Sequence, residues 1–109
     1  MPRHEFGIMQ SEPIKGIRFD IYEPEKYNCI SINDEFIEPL LAELLNIDFY
    51  WHTIDVPGKG LEYFGITLIP PESLDSLMNV IFNIADLSLL KELLMKAKAD
   101  NKFVIHFGI

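Results

Sequence analysis

Apolar side chains recur along this chain at two spacings that take turns, and this switching of period constrains the fold more than any single motif. Ile17, Phe19 and Ile21 alternate with Arg18, Asp20 and Tyr22, predicting a strand over 17–22. A shorter edge strand is expected over Glu5–Met9, before Pro13 and Gly16 interrupt the pattern. Glu23-Pro24-Glu25-Lys26 reads as a turn. Tyr27–Ile32 reads as a further strand, with Ile30 and Ile32 on its apolar side and Tyr27, Cys29 and Ser31 on the other. The period then becomes helical. Phe36, Ile37, Leu40, Leu41, Leu44 and Leu45 form one stripe, capped by Asn33 or Asp34. Pro39 lacks an N–H and is best tolerated in a first turn, so the regular helix is expected to begin near Glu38 and to stop near Asn46.

The second half repeats the exchange of periods. Phe49–Ile54 and Leu61–Ile69 read as the strands of a hairpin with Asp55–Gly60 at its tip. Pro71 opens a helix striped by Leu74, Leu77, Met78, Ile81 and Phe82. Asp86 or Ser88 caps another, striped by Leu89, Leu90, Leu93, Leu94 and Ala97, with Lys96 and Lys98 at the negative end of its dipole. Asn101 reads as a left-handed stop. Phe103–Phe107 is the last strand, with Phe103, Ile105 and Phe107 on one face and Val104 and His106 on the other. From Tyr27 onward the order is β-α-β-β-α-α-β. If the last two helices act as one unit, this is the ferredoxin-like β-α-β-β-α-(α)-β order with an added N-terminal strand. The expected fold is one α+β domain over residues 1–109, a mixed or antiparallel sheet of about four to six strands with two or three helices packed on one face.

Charge narrows the function classes. Nine Lys and Arg against 17 Asp and Glu leave the chain at −8. That balance argues against nucleic-acid binding, which needs clustered cations to neutralise phosphates. The acids concentrate between Asp20 and Asp48, where Lys26 is the only base. Glu23, Glu25, Asp34, Glu35, Glu38 and Glu43 are therefore a candidate surface for a basic partner. Cys29 is the single cysteine, which excludes an internal disulfide and suits a reducing compartment. Met1-Pro2-Arg3-His4-Glu5 does not open a secretory signal, and no apolar run approaches the roughly 18 residues of a membrane span. A cytoplasmic location without membrane association is expected.

The strand alternations define a second candidate site. If Phe19, Ile30, Ile32, Phe103, Ile105 and Phe107 face the helices, then Tyr22, Tyr27, Cys29, Ser31 and His106 share the opposite face. Tyr50 and His52 share a side opposite Phe49 and Trp51, and Tyr63 lies nearby in sequence. Aromatic rings with polar tips suit surfaces that are apolar on one side and wet on the other. This face is expected to meet a small ligand, a protein partner or a second copy of the chain.

No motif for catalysis is present. His4, His52 and His106 are far apart in sequence and form no ligand pair, so neither a metal nor another cofactor is expected. Cys29 with His52 or His106 would be the only nucleophile and base, and nothing local orients such a pair. Glu35 and Glu38, or Asp34 and Glu38, are helix-surface neighbours with no apolar pocket to raise a carboxyl pKa. Gly58-Lys59-Gly60 lacks the spacing of a phosphate-binding loop and precedes a strand.

Leu89–Ile109, with Ala97-Lys98-Ala99-Asp100-Asn101-Lys102 joining helix to strand, resembles the C-terminal helix and strand of barstar-type ribonuclease inhibitors. Those proteins are likewise small, acidic and cytoplasmic. Their inhibitory Tyr-Tyr-Gly-x-Asn-Leu-Asp region has Tyr63-Phe64-Gly65 as its nearest echo here, so no functional residue is carried over. The leading expectation is a non-enzymatic protein-interaction or small-ligand-binding module of the bacterial type. One alternative is an immunity- or inhibitor-like protein that meets a basic partner through its acidic N-terminal half. The other is a small enzyme with a pocket around Tyr50, His52, Tyr63 and His106.

Overall fold

The computed structural model describes residues 2–109. Six strands form one sheet: β1 (Arg3–Ile8), β2 (Ile30–Asn33), β3 (Asp48–Trp51), β4 (Pro57–Lys59), β5 (Ile66–Ile69) and β6 (Val104–Phe107). Their spatial order is β2-β1-β6-β5-β3-β4, and every neighbouring pair is antiparallel. A broken helix follows β2, made of α1 (Asp34–Ile37), a 3-10 turn (Glu38–Leu40) and α2 (Leu41–Leu44). Helices α3 (Leu74–Ile81) and α4 (Ser88–Ala99) lie between β5 and β6. The α+β class, with helices against one face of an antiparallel sheet, is as expected.

The helices follow from local chemistry. Asn33 caps α1, its side-chain oxygen accepting from the Glu35 N–H at 3.1 Å. Pro39 sits in the 3-10 turn that interrupts the helix, because its ring nitrogen has no proton to give the preceding turn. Asn101 takes the left-handed conformation after α4, with φ of 53°. Neither expected cap of α4 acts: Asp86 lies in a 3-10 turn, Ser88 is the first helical residue, and Leu87 holds the cap position with no side-chain bond.

The sheet departs from the expected order in three ways. The N-terminal strand is not an edge: β1 sits between β2 and β6. The 17–22 segment is not a strand, despite its alternation, and belongs to an irregular stretch between β1 and β2 that contains a 3-10 turn at Pro24–Tyr27. Its one backbone bond toward the sheet runs from the Phe19 N–H to the His52 carbonyl at 2.7 Å. The expected hairpin is also rearranged. His52 turns left-handed, with φ of 63°, and ends β3 early, so Pro57-Gly58-Lys59 returns as the edge strand β4 instead of forming a tip. The ferredoxin-like order is therefore not confirmed, since β6 lies inside the sheet, paired with both β1 and β5, and β4 adds an edge.

Both faces of the sheet are covered, by different material. On one face Phe6, Ile32, Phe49, Ile69 and Val104 pack against the apolar stripes of the helices. On the other, Met9, Ile66, Leu68, Ile105 and Phe107 pack against Phe19, Tyr27, Cys29, Tyr50, Ile54 and Phe103. The facing of β6 is the reverse of that expected. Val104 and His106 turn to the helices, and Ile105 and Phe107 turn away. Alternation establishes which residues share a side, but not which side meets the helices, and β6 is apolar on both sides and buried throughout.

Candidate functional site

The side chains expected to share one sheet face are divided between the two. His106 is 0% exposed on the helix face, whereas His52 lies on the opposite face at the end of β3. Tyr63 belongs to the loop before β5, and its hydroxyl donates to Asp34 at 2.7 Å. Tyr50 lines a separate depression with Asp48, Pro57 and Ser73. The enzyme pocket expected around Tyr50, His52, Tyr63 and His106 is thus not assembled. Register pairs His106 with Thr67 and Thr67 with Trp51, so His106 shares a side with Trp51 and lies opposite Tyr50 and His52, and Tyr63 stands in a loop.

The second face carries an open groove of about 860 Å³. Phe107, Ile66 and the backbone of Gly65 and Gly108 line it, together with Arg3, Glu5, Ser31, Asp20 and His52. Two aromatic side chains border it: Tyr22, 63% exposed, and Phe64, 76% exposed. Tyr22 packs edge-on against Phe107 and donates its hydroxyl to Glu5, which pushes the phenol pKa up to about 12. His52 Nδ1 lies 3.0 Å from both the Phe19 carbonyl and Asp20 Oδ1, and its ring lies over Gly65. A Cβ at Gly65 would stand 2.6 Å from His52 Nε2, so this contact needs glycine. The hydrogen bonds from Arg18 hold the Asp20 carboxyl below its ordinary range. Arg3 Nε donates to Ser31 Oγ.

The remaining expected residues are less convergent. Tyr27 sits in the 3-10 turn over Phe107, with ring centroids 6.0 Å apart. Cys29 packs over Gly7, and burial pushes its thiol up to about 12, far from a reactive thiolate. The acidic set is split. Glu23 and Glu25 belong to the segment over the second face, whereas Asp34, Glu35, Glu38 and Glu43 belong to the broken helix. Among the described residues, no group of three or more His, Cys, Asp or Glu side chains could hold a metal ion. No helix among them is long and apolar enough to cross a membrane.

A second constellation, not anticipated from the sequence, lies beneath the helices. His4 Nε2 is 2.7 Å from Asp34 Oδ1, His4 Nδ1 is 2.9 Å from His106 Nε2, and His106 Nδ1 is 3.1 Å from Thr67 Oγ1. The imidazoles stack at 18° with centroids 5.1 Å apart. His4, His106 and Thr67 are all fully buried. Burial, followed by the field of His4, pushes the His106 pKa well below its ordinary 6.5. The Tyr63 hydroxyl and then His4 hold the Asp34 carboxyl below its ordinary range against a smaller opposing effect of burial. The Tyr63 phenol is correspondingly raised to about 12 by its bond to Asp34. The signals for this series were His4 alternating with Phe6 and Ile8, and a histidine within the otherwise apolar run Val104–Phe107.

No family model matches this chain. No curated protein and no solved structure matches it either.

Proposed function

We propose that this chain is a non-enzymatic binding module whose groove on the second sheet face takes a short segment of a protein partner. The observation that carries this reading is the pair Tyr22 and Phe64, two exposed aromatic rings facing a common apolar floor of Phe107 and Ile66. Exposed rings cost little to order on binding and are favoured as anchors where an apolar floor meets a polar rim. The groove is open to solvent, which suits a segment of a partner chain better than an enclosed small molecule. Arg3, Ser31, Glu5 and Asp20 place donors and acceptors around that floor for the polar groups of such a segment.

A displayed random-peptide library panned on the protein tests the reading. Enriched peptides should carry an aromatic or aliphatic residue, and Tyr22→Ala and Phe64→Ala should each weaken them by about tenfold or more. Leu89→Ala, at an exposed apolar residue of α4, should leave their affinity unchanged. Failure to enrich any peptide, or peptides that bind the Tyr22→Ala/Phe64→Ala double variant as well as the wild type, would overturn it.

A further inference from the structure

The buried polar chain closes into a ring on one short loop. At one end Thr67 Oγ1 accepts from the Glu62 N–H at 2.8 Å. At the other end Asp34 Oδ2 accepts from the Tyr63 hydroxyl at 2.7 Å. Glu62 and Tyr63 are adjacent, so both ends of the Thr67–His106–His4–Asp34 series hold the same loop, 61–65. Phe64, the next residue, borders the groove and packs edge-on against Tyr63 with centroids 4.9 Å apart.

Of the bonded arrangements open to this ring, two matter: one without an added proton, and one with it on His4 beside Asp34, since an added proton on His106 would be a buried charge with no carboxylate partner. Ionised Asp34 is acceptor-only, so His4 Nε2 carries a proton in both. In the first, His106 is protonated at Nε2 and donates to His4 Nδ1, while His106 Nδ1 accepts the Thr67 hydroxyl proton. In the second, one added proton reverses every link between His4 and Thr67. His4 then carries two protons and donates to both Asp34 and His106 Nε2, while His106 Nδ1–H donates to Thr67. A second added proton has no place, because two N–H groups would point at each other across 2.9 Å.

We propose that this ring is a proton-operated latch on loop 61–65, closed in the first arrangement and loosened by uptake of one proton from solvent. Both anchors weaken together. Thr67 must accept from His106 as well as from the Glu62 N–H, and Asp34, now facing a cation at His4, holds the Tyr63 hydroxyl less strongly. The charged and titratable groups facing the ring are few. The broken helix supplies Asp34, and Glu38 acts on Tyr63. The loop supplies Tyr63 and the Glu62 amide, β5 supplies the Thr67 hydroxyl, and among the described residues no titratable group other than His4 acts on His106. Helix α4 turns Leu90, Leu94 and Ala97 toward the core. The latch stands whether or not the groove binds a peptide. Only its effect through Phe64 on affinity rests on the function proposed above.

Amide hydrogen exchange of the intact protein tests the latch without any ligand. After correction for intrinsic pH dependence, exchange at Glu62 should quicken about tenfold or more between roughly pH 7 and pH 5. The Gly60 amide, bonded to the Ile47 carbonyl outside the ring, serves as the control and should not change. His4→Gln, which can bond but cannot take the added proton, should abolish the pH dependence at Glu62. A flat wild-type profile, or an unchanged pH dependence in the variant, would overturn the proposal. If the variant does not fold, ring-nitrogen NMR of the wild type decides. His106 should move from the Nε2–H to the Nδ1–H tautomer over the same pH range as the change at Glu62, and a fixed tautomer would refute the latch.

Discussion

The two faces of the sheet handle polar groups in opposite ways. Beneath the helices, imidazoles and a hydroxyl are removed from water and bonded to one another, to the Glu62 N–H and to Asp34 at the margin. Across the sheet, an irregular segment covers the middle and leaves Tyr22, Glu5, Asp20 and His52 around a groove open to solvent. A buried polar group that loses its partner keeps its desolvation penalty, whereas an exposed one returns to water. Side chains of the ring therefore contribute to stability, and the exposed side chains at the groove's rim, Tyr22 and Phe64 among them, are free to vary with little effect on it.

The difference between the faces can be broken most directly at His106. His106→Ala should destabilise the fold by about 3–5 kcal/mol, because it opens a cavity and strands both His4 Nδ1 and the Thr67 hydroxyl. Chemical denaturation monitored by the fluorescence of Trp51 measures the loss. A cost under about 1 kcal/mol would show that the ring is not a structural unit.

Acid should separate the faces next. The folded-state pKa of His106 is lowered from its ordinary 6.5, so the unfolded chain binds the proton more readily. The stability this residue contributes is fully present above about pH 6.5 and is lost as pH falls below it, by about 1.4 kcal/mol per pH unit. Denaturation midpoints taken between pH 7 and pH 5 should fall in the wild type and fall less in His106→Gln. Equal slopes would assign the acid sensitivity elsewhere.

The smallest effect compares neighbours. Tyr63→Phe removes one anchor from Asp34 and should lower the denaturation midpoint by a small, measurable amount. Phe64→Ala, one residue along but facing the groove, should stay within about 0.5 kcal/mol of the wild type. A reversed order would place the loop's support in Phe64 instead of in the ring.

Legibility from sequence follows the same division. The helical stripes were readable because a 3.6-residue period admits only one buried side, and Asn33 announced its cap through a short side-chain oxygen. The antiparallel α+β class followed from those stripes and the short alternating runs. Alternation failed where a strand needs a partner as well as a pattern: Ile17, Phe19 and Ile21 alternate, yet no strand lies alongside them. It failed again at β6, whose two apolar faces give no sign of which one the helices cover. The groove was partly legible, through Tyr22 and His52. The ring was not, because its members lie up to 102 residues apart and meet only through strand register.

Strand β6 lies between β1 and β5 and is roofed on both sides, which has a consequence in time. Water reaches its amides only when a large part of the fold opens, so they should be among the slowest of the molecule to exchange. The ring beside that strand differs at its margin: the Asp34 side chain is 18% exposed, so the ring meets solvent at one end while the strand that carries His106 does not.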